Sequence, residues 1–351
     1  MAQTTVGSTA ITYADWAKRV GDETGQYSIA RIIELLSQTN EILEDMHVLE
    51  GNLPTGHKTT VRTGLPQATW RLLNQGVPNA KSTTAQISDA CGNLETYAVI
   101  DKDIADLNGN TAEFRLSEVK AFLEGMSQQV ASTLMYGNQF VNPERFTGFA
   151  PRYSTSNTAT SQTANNVLSG QGAGSTNTSI WIVVWGADTL HATFPKGKMT
   201  GLQHRDMGEW PVSDSAGNTY QAYRDHFKWE IGLVLRDWRY VVRIPNIDVS
   251  LLTGVSAANL INLMVRGLYK LPTAPVSATT IQTSDSPEVR ANMGRTVIYC
   301  NRVIRTYLDL QAMNKTNVLL RIEEFNGKPI TTFREIPVRT VDALLNNEAA
   351  I

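Results

Sequence analysis

The run Trp70-Arg71-Leu72-Leu73-Asn74-Gln75-Gly76-Val77-Pro78-Asn79, continued without interruption to Met135-Tyr136-Gly137-Asn138, decides how this chain folds. Residues 58–73 and 82–100 are rich in Thr, Val, Gln and Ser and predict two extended strands, with the Asn74–Asn79 cluster supplying the bend. A helix follows at 111–136. Glu113 follows Asn110 by three residues, a capping-box variant. Val119, Phe122, Leu123, Met126, Val130 and Leu134 fall on one helical stripe. Gly137 is placed to end that helix as a left-handed residue. A polar two-stranded ribbon buries too little apolar surface to be stable alone. The ribbon is therefore expected to be covered by something outside its own subunit.

The bulk composition agrees with an interface-rich protein. The chain has 351 residues, 42% hydrophobic and only 18% charged, with a net charge of −2. Neutral polar surface costs less to desolvate at an interface than ionised groups do. A near-neutral chain has no global basic field for nucleic acid, so any DNA contact must be local. Cys91 and Cys300 form neither a disulfide framework nor a cysteine zinc site and suit a reducing compartment. The first residues lack a secretory n-region, and no apolar run approaches the roughly 20 residues of a membrane helix. A soluble protein made in a cytoplasm, with no membrane partner, is the expectation.

Outside the decisive stretch the pattern is mixed α and β. A helix is predicted from Ser28, with Ile29, Ile32, Ile33 and Leu36 and then Ile42, Leu43 and Met46 at helical spacing, stopped by the Gly51–Gly56 cluster. Residues 150–179 read as a polar loop, Ile180–Trp185 as a strand buried on both faces, and 195–225 as a long insertion with a Gly217-Asn218 turn. Strict alternation from Phe227 to Ile244 predicts an antiparallel pair or one long bent strand. The last hundred residues predict a helix at 256–269, a loop to Pro287, a strand at Thr296–Cys300, a helix capped by Asn301, a hairpin at Asn326-Gly327 and a strand at Glu335–Arg339. This series is α+β.

Catalytic chemistry is poorly represented. The five histidines show no metal-ligand spacing, and His204 beside Arg205-Asp206 reads as a polar loop residue rather than an acid–base group. Asp101, Asp103 and Asp106 lack the calcium-loop glycine and closing glutamate. Gly170, Gly172 and Gly174 lack the strand, helix and lysine of a phosphate loop. No catalytic residue, metal or cofactor is expected, although a hydrolase with a dispersed site stays open as an alternative. Trp70 and Arg71 are interface-enriched types, while a local tryptophan cluster on the hairpin is the plainer alternative.

Several strings together resemble the major capsid proteins of tailed bacteriophages with the Hong Kong 97-type fold, the short-tailed branch above all. They are Arg71–Gly76, Asp89–Gly92, Gly125–Gln129, Tyr136–Asn138, Phe146–Tyr153, Phe194–Gly197, Gly201–His204 and Trp238–Ile244. The resemblance implies a structural protein of the virion capsid that assembles in a bacterial host cytoplasm into an icosahedral shell around double-stranded DNA. It implies an N-terminal arm with a helix (1–54), an extended β-hairpin loop (55–107), a peripheral domain (108–250, spine helix 111–136, strands 180–250) and an axial domain (251–351). The axial-like segment coming last implies a rearranged segment order. Expected inter-subunit contacts are Trp70, Arg71, Asn74, Gln75 and Lys81. Expected partners are further copies as pentamers and hexamers, a portal, packaged DNA held non-specifically, a cement protein and a separate scaffolding protein, since only about fifty residues precede the loop. A tail, decoration or adhesin subunit is the structural alternative.

Overall fold

The computed structural model describes residues 37–107, 109, 111–213, 216–252, 258–272, 294–313, 320–325 and 328–351, without side chains at 312–313 and 320–331. In chain order the elements are α1 (Ile42–Asp45), β1 (Val48–Glu50), β2 (Gly56–Gly64), β3 (Thr83–Asp101), α2 (Lys102–Asp106), α3 (Thr111–Tyr136), α4 (Phe149–Arg152), β4 (Asn177–Trp185), β5 (Leu190–Phe194), β6 (Leu202–Ser213), β7 (Thr219–Leu235), β8 (Val241–Asp248), α5 (Leu260–Leu268), β9 (Arg295–Cys300), α6 (Arg302–Met313), β10 (Leu320–Phe325), β11 (Lys328–Phe333) and β12 (Ile336–Thr340). They form two compact units, one containing Asn93–Val130 and Gly201–Glu230, the other Thr39–Gly92, Ala131–Thr200 and Ile231–Ile351.

The larger unit is organised on β4, whose nine residues are all buried. A continuous apolar run needs cover on both faces, and the topology supplies it. β4 pairs antiparallel with β8 along one edge and with β9 along the other, with Ile182 opposite both Val242 and Ile298. Beyond β9 the order continues through β12, β11 and β10. Ile180, Ile182, Val242, Ile244, Leu260, Met264, Ile298, Ile304 and Leu308 share one core with Phe333 and Val338. Residues on both sides of position 250 share this core. The final residues also return to the body. Glu348, only 8% exposed, accepts hydrogen bonds from the Tyr136 hydroxyl (2.5 Å) and Arg243 Nη2 (2.8 Å), and also from Ser179.

The smaller unit packs the first part of α3 against a strand pair. β6 and β7 run antiparallel from Leu202 opposite Trp229 to Ser213 opposite Thr219. Met126 and Phe227 are buried with Ala98 and flanked by Val119, Phe122 and Leu123. Four of the six stripe positions expected of the helix meet here, and the other two, Val130 and Leu134, are buried as well.

Four expectations need correction. The predicted insertion 195–225 contains β6 and the start of β7. β6 is exposed or half-buried along its length, so it carries no apolar alternation to read. β7 and β8 are neither paired together nor one strand; a short 3₁₀ turn at Trp238–Tyr240 separates them, and they join β5 and β4 respectively. The predicted helix through Met46 survives only as Ile42–Asp45. Thr39 and Asn40 instead bond Asp342 and Ala343, a competition that short polar side chains favour; the portion up to Leu36 lies outside the described residues. Gly137 is not among the left-handed glycines. It is needed for space, because a Cβ there would meet the Phe146 and Thr133 carbonyl oxygens at 2.5 Å.

Asn110, expected to cap α3, and the Asn326-Gly327 turn lie outside the described residues. The strands flanking that turn pair with Phe325 opposite Lys328, as the dipeptide requires. Asn301 caps α6 as expected, its Oδ1 accepting from Val303 N at 2.7 Å.

Candidate assembly interface

The hairpin predicted from the sequence is present, but shorter on one side. Gly56 pairs with Ala90, and the antiparallel ladder runs to Gly64 opposite Thr83. Residues 65–82 have no ladder, so the expected strand to Leu73 ends nine residues early. Pro66 explains this, since it has no N–H to donate. The tip turns at Leu72–Gln75, where Gln75 N donates to Leu72 O at 3.2 Å and Asn74 takes φ 68°, a conformation Asn tolerates better than most residues.

The base of this ribbon is clamped. Asn52 exchanges two hydrogen bonds of 2.7 Å with the Lys58 backbone. Arg152 Nη2 donates to Asp89 Oδ1 at 2.8 Å and also to the carbonyls of Thr147 and Leu233. A side chain on Gly56 would meet Asp89 O at 2.1 Å, so strand and base touch backbone to backbone. Beside them the rings of His57 and His191 sit 5.5 Å apart, edge to face, and Arg236 Nη2 lies 3.3 Å from His57 Nε2. Burial first, then the Arg236 charge, pushes the His191 imidazole down to about 3 and lowers His57 as well.

The tip is the opposite. Every residue from Leu65 to Ser88 is exposed. Trp70 is fully exposed, Leu73 is 90% exposed, and Leu65, Leu72 and Val77 are also open to solvent. All five residues picked from the sequence, Trp70, Arg71, Asn74, Gln75 and Lys81, lie on this exposed tip. Asn74 and Gln75 meet in the turn. The local Trp70 cluster offered as the plainer alternative is absent, since Trp70 has nothing covering it. Sequence reading missed the ribbon's charge, which is legible by counting. Between His57 and Ser88 stand Lys58, Arg62, Arg71 and Lys81 and no Asp or Glu, a formal +4 on a chain of net −2.

His204 sits on strand β6 rather than in the loop expected, with Nε2 2.9 Å from Asp225 Oδ1 and its ring stacked on Phe227. Arg115 occupies the same carboxylate at 3.0 Å and bridges to Asp206 at 2.8 Å. The carboxylate is thus already neutralised, and the group is an ion network tying β6 and β7 to α3. Asp101 caps α2 and Asp106 accepts from the Thr111 hydroxyl. Gly170 and Gly172 lie against β8, where their N–H groups donate to Pro245 O and Asn246 O. Among the described residues no group of three His, Cys, Asp or Glu is arranged to hold a metal, and no helix is long and apolar enough to cross a membrane.

Comparison with known proteins places this geometry. The family model described as major capsid protein GP7 matches residues 22–351. A chain of the cryo-EM structure of bacteriophage Epsilon15 is 37% identical over 99% of both chains, with a TM-score of 0.74. A Microbacterium phage Oxtober96 chain (10% identity, 66% of this chain and 98% of that one, TM-score 0.42) is too distant to carry weight. The same holds for the capsid of an empty GTA particle (9%, 67% and 97%, 0.43). No curated protein sequence matches. These matches do not confirm a rearranged segment order.

Proposed function

This chain belongs to the major capsid protein GP7 family, and from that premise we propose that its ribbon tip is the part that joins one copy to the next. The protein is a structural subunit of a phage capsid with the Hong Kong 97-type α+β fold, not an enzyme, and it builds an icosahedral shell with copies of itself. The observation that carries the proposal is the contrast within residues 56–90. A hydrogen-bonded base supports a tip whose Trp70, Leu72 and Leu73 stand largely exposed to solvent.

Exposed apolar side chains clustered with arginine are what an interface core requires. A ribbon with free edges can also add main-chain hydrogen bonds to a neighbour. The +4 ribbon, two of whose charges (Arg71 and Lys81) stand on the tip, calls for an acidic receiving surface, which speeds encounter and makes early contacts salt-sensitive and reversible. Each contact can be weak, because a subunit that reaches over several neighbours multiplies small free energies.

The finer assignments follow as parts of the same proposal. Copies gather as pentamers and hexamers on a separate scaffolding protein, close around a portal in the host cytoplasm, and touch packaged double-stranded DNA without sequence preference; a cement protein on the outer surface is compatible. In that shell the ribbon is the extended loop, α3 the peripheral spine, and the core of β9–β12 with α5 and α6 the axial part.

The test is a deletion of residues 65–82, closed by a short glycine linker. A wider deletion to residue 100 would remove the buried Ala98 and Ile100 and so unfold the subunit. Co-expression with the scaffolding protein followed by negative-stain microscopy should show folded subunits and no closed particles. Closed shells from the deletion variant would refute the role given to the tip.

A further inference from the structure

The ribbon is held to the rest of its unit partly through a histidine, the side chain whose charge changes near neutrality. His57 lies on β2 and is buried. Its Nε2 stands 3.3 Å from Nη2 of Arg236, the residue that follows β7. A guanidinium nitrogen can only donate, so His57 Nε2 is the acceptor and the imidazole is neutral. The proton of the neutral ring then sits on Nδ1, which is buried and has no hydrogen-bond partner among the described residues.

A second place for that ring exists in the ladder. His57 pairs directly with Asp89 of β3, and directly opposed side chains leave a sheet on the same face, with Cβ atoms about 5 Å apart. Asp89 Oδ1 accepts from Arg152 Nη2 at 2.8 Å, while Oδ2 is buried and unpaired among the described residues. A buried acceptor without a donor is costly to keep. Charging His57 reverses its preferences. Nε2 becomes a donor facing a permanent cation, and the ring becomes a counter-ion for Asp89.

The other groups around the ring favour the same exchange. His191 on β5 packs against His57 edge to face, and His47, ahead of β1, adds to the positive field at His191. Arg236 bridges to the exposed Asp188 at 3.2 Å, and Arg152 stays with Asp89. Burial and then Arg236 lower His57 from its ordinary 6.5, with Asp89 opposing. The neutral, bonded form is therefore complete above pH 6.5 and is lost as pH falls below that value. His191, held down to about 3, is still neutral when His57 charges.

We propose that His57 is a proton-operated latch on the ribbon. Neutral, it takes the Arg236 hydrogen bond and holds β2 to its unit; charged, it turns to Asp89 and releases Arg236. None of these residues belongs to the core built on β4, so the ribbon can be re-aimed while that core stays packed, a local charge change biasing one movable element. The latch concerns how a single molecule holds its ribbon, and it stands whether or not the tip joins copies.

Hydrogen exchange read by mass spectrometry tests this on the unassembled full-length chain, at about pH 7.5 and about pH 5, a window that charges an ordinary histidine. After correction for the intrinsic exchange rate, amides of residues 56–64 and 83–90 should lose roughly tenfold protection at the lower pH while β4 and β8 keep theirs. His57→Gln retains a side-chain oxygen that can accept from Arg236 but takes up no proton, so its ribbon should stay protected at both pH values. Arg236→Met removes the catch and should show the loosened ribbon at both, and it decides the matter if the glutamine variant fails to fold. Equal ribbon protection of the unmodified chain at the two pH values would overturn the latch. So would a loss that persists in folded His57→Gln, or full protection at the higher pH in Arg236→Met. A loss that extends to β4 and β8 would mark general acid unfolding and overturn it equally.

Discussion

The β2–β3 ribbon with its tip and the strand β4 hold their conformation for opposite reasons. All nine residues of β4 are buried between two neighbouring strands and a helical layer. In the tip nothing from Leu65 to Ser88 is buried. β4 is stabilised by area removed from water, about 25 cal/mol for each Å² of apolar surface. The tip receives no such contribution inside its subunit, and its order depends on the clamp at Asn52, Gly56 and Arg152. One region carries the stability of the monomer, and the other is the one we propose is left for the assembly. Substitutions should therefore separate cleanly, with those near β4 changing folding and those at the tip changing particle formation.

The largest effect is expected at Trp181, buried on β4 with Phe149 and Tyr153 rings at 5.5 and 5.9 Å and the Arg243 guanidinium over its face. Trp181→Ala should lower unfolding free energy by about 3–5 kcal/mol through a cavity of indole size. Urea denaturation of the unassembled subunit measures it. A loss under about 1 kcal/mol would mean that the core does not centre on β4.

Next comes the buried pair Arg243–Glu348, at 2.8 Å with side chains 5% and 6% exposed. Glu348→Ala strands a guanidinium in the core and should cost about 3 kcal/mol. Replacing both, with Arg243→Met and Glu348→Leu, should recover much of that loss. If the double variant is no better than the single one, the return of the C-terminal residues to Tyr136 and Ser179 contributes by shape rather than by charge.

The histidine pair beside the ribbon's base should respond to pH. Folding keeps His191 neutral, with its imidazole at about 3 against an ordinary 6.5. Between those values the unfolded chain binds a proton that the folded chain refuses. The contribution is therefore full above pH 6.5 and is lost as pH falls toward 3, at up to about 1.4 kcal/mol per unit. His191→Leu should flatten the slope of stability against pH in that window. An unchanged slope would place the acid sensitivity elsewhere, with His57 the first candidate because it is also lowered by burial and by Arg236.

How much of this was legible follows from the same contrast. β4 was readable because an uninterrupted Ile-Trp-Ile-Val-Val-Trp run has no other stable place than a sheet interior. Asn301 was readable because a cap is a local bond. β6 was not, since a strand half-open on both faces has no alternation. The turn at Arg334-Glu335 was hidden as well. Both residues take positive φ, 51° and 68°, and neither is the Asn or Gly that announces such a turn; pairing of Phe333 with Ile336 imposes it. The tip was legible as an exposed turn with interface-enriched residue types, but not where its ladder ends, and the ribbon's charge became visible only once its limits were known.

Trp70→Ala should have the smallest effect on the subunit and is the sharpest test of the comparison. Its ring is fully exposed, so removing it takes away no intramolecular packing. Surface substitutions of this kind stay within about 0.5 kcal/mol. Interface anchors of the same type lose about 2 kcal/mol or more on truncation, and in a shell that loss recurs at every copy. The expected result is an unfolding curve that superimposes on that of the unmodified chain together with a strong fall in the yield of closed particles. Arg71→Glu should act in the same direction by reversing charge on the basic tip, and its defect should shrink as salt is raised, because screening weakens the new repulsion. Destabilised monomers that still close into shells would reverse the division of labour between tip and core.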